Sequence, residues 1–226
     1  MKIKINEIFK SIQGEGIYTG IPITFVRTTG CNLRCSWCDT KYAYFRGREM
    51  TLDQILDKCR KLGVKNICLT GGEPLMHRDE SRELIQLLIK EGFEVLIETN
   101  GAFKISGLPK EAVISLDIKC PSSGMSDKMF YENLDLLRTK DWLKFVIDDM
   151  KDYNFAKDIV KKYKLESKTN VIFQPVYKEN TKFIRSLIKK LLADKLQARI
   201  GLQLHRIIWG NKKRRLNQKY ERHSKN

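Results

Sequence analysis

Three of the chain's six cysteines fall within eight residues, at Cys31, Cys35 and Cys38 in the stretch GCNLRCSWCDT over 30–40. The spacing is C-x3-C-x2-C. Thiolates this close together suit a metal centre. A structural zinc site takes four ligands, so zinc would need a distant fourth, with His77 and Cys120 as candidates. A 4Fe–4S cluster held by three cysteines keeps one iron open to another ligand. The residues alone leave both readings open. A chance cluster of core cysteines fits poorly, because the loop carries Gly30 and Asn32 and is not apolar.

The elements around this loop alternate between strand-like and helix-like runs. Strands are expected over 23–28, 66–70, 94–99, 112–117, 142–147, 170–174 and 199–204. Thr51-Leu52-Asp53-Gln54 has a capping-box pattern, followed by apolar residues at helical spacing up to Gly63. Further helices are expected over 79–91, 152–164 and 181–193. The segment 100–111 carries Gly101, Gly107 and Pro109, which speak against a full helix. The β-α-β order predicts a parallel sheet with crossover helices. The strands read as apolar runs, as expected when both faces are covered. One domain over 1–210 is expected, with a basic, flexible tail over 211–226. In such folds ligands sit at the carboxyl ends of the strands. The cysteine loop, Thr70-Gly71-Gly72-Glu73-Pro74, Glu98-Thr99-Asn100-Gly101 and Asp117-Ile118-Lys119 all fall there, which points to one active site.

Composition sets outer bounds. The 226 residues are 42% hydrophobic and 31% charged, as in ordinary globular proteins. No run approaches the roughly 20 apolar residues of a membrane span, and MKIKINEIFK lacks a signal peptide's apolar core. A cytoplasmic setting follows, where disulfides are disfavoured. The net charge is +16. From position 206 onward eight Lys or Arg face one acid, a local net of +7. Such charge suits nucleic acid, anionic ligands or a lysine-rich solvated surface.

The cysteine spacing after an early strand, with a Gly-Gly-Glu-Pro turn after the next, resembles the radical S-adenosylmethionine (SAM) enzymes. The resemblance implies a partial (β/α) barrel of about six parallel strands, abbreviated relative to a full (β/α)6 core. It also implies that Cys31, Cys35 and Cys38 bind three irons of a 4Fe–4S cluster and that SAM takes the fourth. Thiolate-ligated clusters reach potentials as low as about −700 mV, low enough for reductive chemistry on a sulfonium. Five further runs resemble the 7-carboxy-7-deazaguanine synthases, collinearly to about position 209: SIQGEG over 11–16, FVRTTG over 25–30, CDT over 38–40, PSSGM over 121–125 and LQLH over 202–205. That family implies a 6-carboxy-5,6,7,8-tetrahydropterin substrate, hydrogen removal at C6, ring contraction and ammonia loss. The product feeds deazapurine (queuosine or archaeosine) modification of tRNA.

The resemblance also assigns residues. Ile12, Gln13, Gly14, Glu15, Arg27, Thr70 and His205 are expected at the substrate, with Arg27 as a fork for its carboxylate. Thr40 is expected to bind Mg2+, which prefers oxygen donors and borrows them from substrates. Trp37, Cys38, Asp39, Gly72, Glu73, Ser115, Asp117, Lys119, Lys144 and Gln174 are expected at SAM. Glu73 or a backbone carbonyl would accept from its ammonium. Asp117-Ile118-Lys119 departs from the Ser-Pro-Lys of many relatives. A homodimer and a reducing partner, flavodoxin or ferredoxin, are implied. A stable nucleic-acid complex is not. Two competing readings are a glycyl-radical activase and a zinc-containing basic RNA-binding protein. Gln13, Glu15 and Arg27 disfavour the first. The lack of a stacking-aromatic pattern disfavours the second.

Overall fold

A computed structural model describes residues 1–178 and 181–210. The expected tail over 211–226 lies outside the described residues. The frame is a single nine-stranded sheet in the order β3-β1-β2-β4-β5-β6-β7-β8-β9. Its strands are β1 (Lys2–Ile12), β2 (Pro22–Thr28), β3 (Arg48–Thr51), β4 (Asn66–Gly71), β5 (Glu94–Thr99), β6 (Val113–Ile118), β7 (Trp142–Ile147), β8 (Asn170–Pro175) and β9 (Arg199–Ile200). From β2 through β4 to β9 every pairing is parallel. β1 runs antiparallel to both β2 and β3. The helices are α1 (Leu52–Leu62), α2 (Arg78–Lys90), α3 (Met150–Lys162), α4 (Lys182–Ala193) and α5 (Leu204–Trp209).

Period-2 alternation divides each central strand between two apolar clusters. Val26, Leu69, Ile97, Leu116, Phe145 and Phe173 join the larger cluster, with Ile55, Leu84, Val160 and Leu187 from α1 to α4. On the opposite face Phe25, Cys68, Leu96, Trp142 and Ile172 form a smaller cluster with Ile23. This second cluster covers the amino-terminal half of the inner face. Both faces of each strand are therefore covered, which is why the strands read as apolar runs.

Local signals explain the connections. Thr51 Oγ1 accepts from the Gln54 amide at 3.2 Å, and Gln54 Oε1 accepts from the Thr51 amide at 3.0 Å. Gly63 ends α1 at φ 67°, a left-handed conformation that favours glycine. The segment between β5 and β6 carries no helix. Asn133 pins it instead, donating to the Phe103 carbonyl at 2.8 Å and accepting from the Ile105 amide at 3.0 Å.

Two expectations need correction. The strand expected over 199–204 is only Arg199–Ile200, and the chain turns into α5 at Leu204. Gly201 still donates to the Phe173 carbonyl at 2.9 Å, and it packs closely on β8, where a Cβ would lie 2.7 Å from Ile172 Cγ2. The Leu204 amide then donates to the Gly14 carbonyl at 2.9 Å, drawing the chain across the sheet. β1 and β3 extend the sheet beyond the expected strands. β1 carried a period-2 signal, since Ile3 and Ile5 are buried between exposed Lys2 and Lys4.

Trp142 is 1% exposed at the centre of the smaller cluster, beside Tyr18 at 5.3 Å between ring centroids. Removing so large a buried side chain leaves a cavity. Trp142→Ala is expected to lower unfolding free energy by about 3–5 kcal/mol, measured by urea titration. A loss under 1 kcal/mol would mean the inner face is not anchored there.

Candidate active site

Two residues beyond the smaller cluster, each strand turns polar on the same face. Phe25 is followed by Arg27, Cys68 by Thr70, Leu96 by Glu98, Trp142 by Lys144 and Ile172 by Gln174. Asp117 holds the same position on β6. All six polar side chains line one cavity of about 1140 Å³. The apolar cluster is its floor, and the cysteine loop, 12–15 and α5 form its walls.

The lining is a connected network. Glu98 accepts from Gln13 Nε2 at 3.0 Å and from Thr70 Oγ1 at 2.8 Å. Glu15 accepts from Lys144 Nζ at 2.5 Å and from Gln203 Nε2 at 2.8 Å. Lys144 also lies 3.3 Å from Asp117, whose other oxygen pairs with Lys119 at 2.9 Å. Burial alone would raise the Glu15 carboxyl. Lys144, His205 and Gln203 override that and hold it well below the usual carboxylate range. Burial alone would lower Lys144, but Asp117 and Glu15 hold its ammonium charged, well above the usual value. Arg27 Nε pairs with Glu7 at 3.0 Å, and the Tyr42 hydroxyl donates to the same Glu7 oxygen. His205 lies 3.8 Å from Asp39 and packs on Gly14, where a Cβ would be 2.3 Å from His205 Nδ1.

At the cavity's other end, the Gly71-Gly72 turn presses on the cysteine loop. A Cβ on Gly72 would lie 1.9 Å from the Gly30 carbonyl oxygen, and one on Gly71 2.5 Å from Thr28 backbone atoms at φ 148°. The Glu73 amide donates to the Gly30 carbonyl at 2.7 Å. Glycine here lets two loops meet. Cys31 accepts from the Leu33 amide at 3.4 Å and lies 3.7 Å from Asn100 Nδ2. Cys38 Sγ lies 3.7 Å from Thr40 Oγ1. Burial pushes the Cys31 and Cys35 thiols up, so taking up a metal there would displace protons.

The donor set fits an iron–sulfur cluster. Zinc needs its sulfurs about 2.3 Å from one point. Among the described residues no three His, Cys, Asp or Glu side chains converge on such a point. A cluster instead offers each thiolate its own iron. The candidate fourth zinc ligands are committed elsewhere: His77 bonds the Thr29 carbonyl at 2.9 Å, and Cys120 is buried in the larger apolar cluster. Gln174 also lines the cavity, and its Oε1 is buried with no hydrogen-bond partner among the described residues.

Most of the expected residues meet at this cavity: Cys31, Cys35, Cys38, Thr40, Trp37, Asp39, Gly72, Asp117, Lys119, Lys144, Gln174, Ile12, Gln13, Gly14, Glu15, Arg27, Thr70 and His205. Two do not line it. Glu73 turns inward, fully buried, and accepts from Leu75 N at 2.9 Å, Thr99 Oγ1 at 2.7 Å and Asn100 N at 2.6 Å. It holds the turn and has no oxygen facing the cavity. Ser115, between Glu98 and Trp142 in the sheet, is 2% exposed and does not line the cavity. Glu98, Gln203 and Tyr42 were missed. Glu98 stood at a strand's carboxyl end, which was the available signal. Gln203 lay in the LQLH run over 202–205 but was given no role, and Tyr42, in a single helical turn over 41–44, carries no mark of its role in the sequence.

Residues 25–117 match the model of the Radical SAM superfamily. The chain is 41% identical over 219 residues to a 7-carboxy-7-deazaguanine synthase of Koribacter versatilis, covering 92% of this chain and 97% of that one. A namesake from Thermoplasma acidophilum is 39% identical, with 92% and 97% covered. A crystal structure of QueE from Escherichia coli superposes with a TM-score of 0.75 at 23% identity, covering 91% of this chain and 95% of that one, and supports the fold. With identity this high over nearly the whole length, the chain belongs to the 7-carboxy-7-deazaguanine synthase family of radical SAM enzymes.

Proposed function

We propose that the protein converts 6-carboxy-5,6,7,8-tetrahydropterin to 7-carboxy-7-deazaguanine and ammonia, within the deazapurine pathway of tRNA modification. The observation that carries this is one cavity holding both the three-cysteine loop and a polar lining able to grip a bicyclic, carboxylated substrate. When bound, the cluster and SAM supply one-electron chemistry strong enough to take a hydrogen atom from carbon. Cys31, Cys35 and Cys38 hold the cluster. Trp37, Asp39, Gly72, Asp117, Lys119, Lys144 and Gln174 surround the place for SAM, with Gln174 Oε1 accepting a hydrogen bond.

The remaining residues hold and orient the substrate. Gln13, with Glu98 and Thr70 behind it, offers donors and acceptors to the pterin edge. Glu15 stays ionised because Lys144 neutralises it. Arg27, fixed by Glu7 and Tyr42, presents its guanidinium to the substrate carboxylate. Thr40 gives one oxygen to Mg2+, and substrate oxygens and water complete its shell. Such pre-positioning is worth orders of magnitude in rate. Among the described residues no helix is long and apolar enough to cross a membrane. A homodimer, a cytoplasmic setting and a flavodoxin or ferredoxin as reductant complete the reading.

The direct test is anaerobic turnover of reconstituted protein with dithionite, SAM, Mg2+ and the carboxytetrahydropterin. Mass spectrometry is expected to find 7-carboxy-7-deazaguanine. SAM cleavage without that product would reject the substrate.

A second test concerns Lys144, whose side chain is 8% exposed. Lys144→Met leaves two carboxylates without their shared cation and is expected to cost about 3–5 kcal/mol at neutral pH. The sign of its pH dependence is fixed. In the native protein the depressed Glu15 favours folding above the usual carboxylate range, and that contribution is lost progressively as pH falls from that range into strong acid. Without Lys144, burial raises Glu15 instead, so stability falls as pH rises through and above that range. Equal losses at pH 5 and pH 8 would contradict the assigned pairing.

A further inference from the structure

The outer rim of the cysteine loop carries side chains that the cavity chemistry does not use. Phe45 is 73% exposed. Alone, one exposed ring means little, but this ring ends a continuous chain of contacts. It meets Tyr44 edge-on at 6.0 Å between centroids. Tyr44 also lines the cavity together with Cys38. The Arg34 guanidinium lies 4.4 Å from the Tyr44 ring centre and 5.8 Å from that of Phe45, and it also donates to the Cys31 carbonyl at 2.7 Å. The cysteine loop is thus joined to solvent through one aromatic and cationic cluster. Met76, 44% exposed, lies over Gly30 at the base of the same loop.

The charge of this rim is one-sided. Arg34, Lys41, Arg46 and Arg48 are exposed between positions 32 and 49, against one exposed acid, Glu49. Asp39, the other acid of that segment, faces His205 in the cavity. An apolar centre ringed by cations is the form of a docking site for an acidic protein.

We infer that the rim of Arg34, Lys41, Phe45 and Arg46 docks a small acidic one-electron carrier protein, holding a flavin or an iron–sulfur centre, against the outer side of the cysteine loop. The inference rests on the radical SAM reading. The step moves one electron from the carrier's reduced centre to the cluster. The carrier is oxidised by one electron, and no atom or proton need move. Electron-transfer encounters are small and transient, at the low end of interface sizes, so four or five side chains suffice. Charges at such a rim act mainly on association rate and salt dependence.

The test uses the full chain with its cluster reconstituted and an acidic flavodoxin as probe. Binding is measured by titration calorimetry at low and high salt. The variant Lys41→Glu/Phe45→Ser/Arg46→Glu changes only exposed side chains outside the cavity. It is expected to weaken binding at least about tenfold at low salt and to slow flavodoxin-driven cluster reduction, followed by absorbance. Its dithionite-driven turnover is expected to match wild type. A control, Arg185→Glu/Lys189→Glu on exposed positions of α4, is expected to leave flavodoxin binding unchanged. Equal binding by the rim variant would overturn the inference, as would equal weakening by the control, which would mean only global charge is sensed. Dissociation of a dimer by the rim variant would assign the face to a second copy of the chain instead. Failure of wild-type turnover with dithionite would reject the enzymatic reading and leave the binding result to stand or fall by itself.

Discussion

The Lys144 ammonium is the point on which the site's geometry depends. It sits on the inner face of β7 between Glu15 and Asp117. Those carboxylates come from the loop after β1 and from β6. Glu15 in turn holds Gln203, just before α5, and Asp117 holds Lys119. One buried cation thereby links the loop after β1, strands β6 and β7 and, through Glu15, the segment before α5. Buried ion pairs seldom add net stability, because desolvation offsets the Coulombic gain. What the arrangement supplies is position. The loop bearing Gln13 and Glu15 is held against the sheet on one side of the cavity while the cysteine loop is held on the other.

The sheet makes this economical. A strand alternates its side chains between two faces, so one strand can build core and site together. In β7, Leu143, Phe145 and Ile147 pack under α3, while Trp142 and Lys144 face inward. Apolar residues fill the inner face first, and polar ones follow two positions later. The floor excludes water from beneath and keeps the polar groups in surroundings where their charges act strongly. Ser115 shows the converse. Flanked by Glu98 on β5 and Trp142 on β7, it is buried and makes no part of the cavity wall.

Much of this was legible in the sequence. The parallel order followed from alternating strand and helix signals, and α1 from its capping box. The placement of Cys31, Thr70 and Asp117 at strand ends pointed to a single site before any coordinates. Illegible features share one physical cause, which is dependence on contacts between segments far apart in sequence. Glu73 looked available as an acceptor until three donors from the next turn and the end of β5 consumed it. Gly72 was expected at SAM and does line the cavity, while Gly71 and Gly72 also let their turn close on the Gly30 loop. The strand expected over 199–204 was a fair reading of local residues, but the Leu204 amide bonds the Gly14 carbonyl and the chain turns into α5. Gln203 lay in the LQLH run without a role assigned to it, and Tyr42 carries no local mark of its role.

The central claim is that the cavity holds the pterin with its C6 hydrogen facing bound SAM at the three-cysteine end. The most direct measurement uses substrate carrying deuterium at C6, turned over by the reconstituted protein, with SAM and product analysed by mass spectrometry. The account predicts that deuterium appears at the 5′ carbon of SAM as 7-carboxy-7-deazaguanine accumulates. Product formed while SAM stays unlabelled would contradict it, and would mean that the hydrogen leaves by another route.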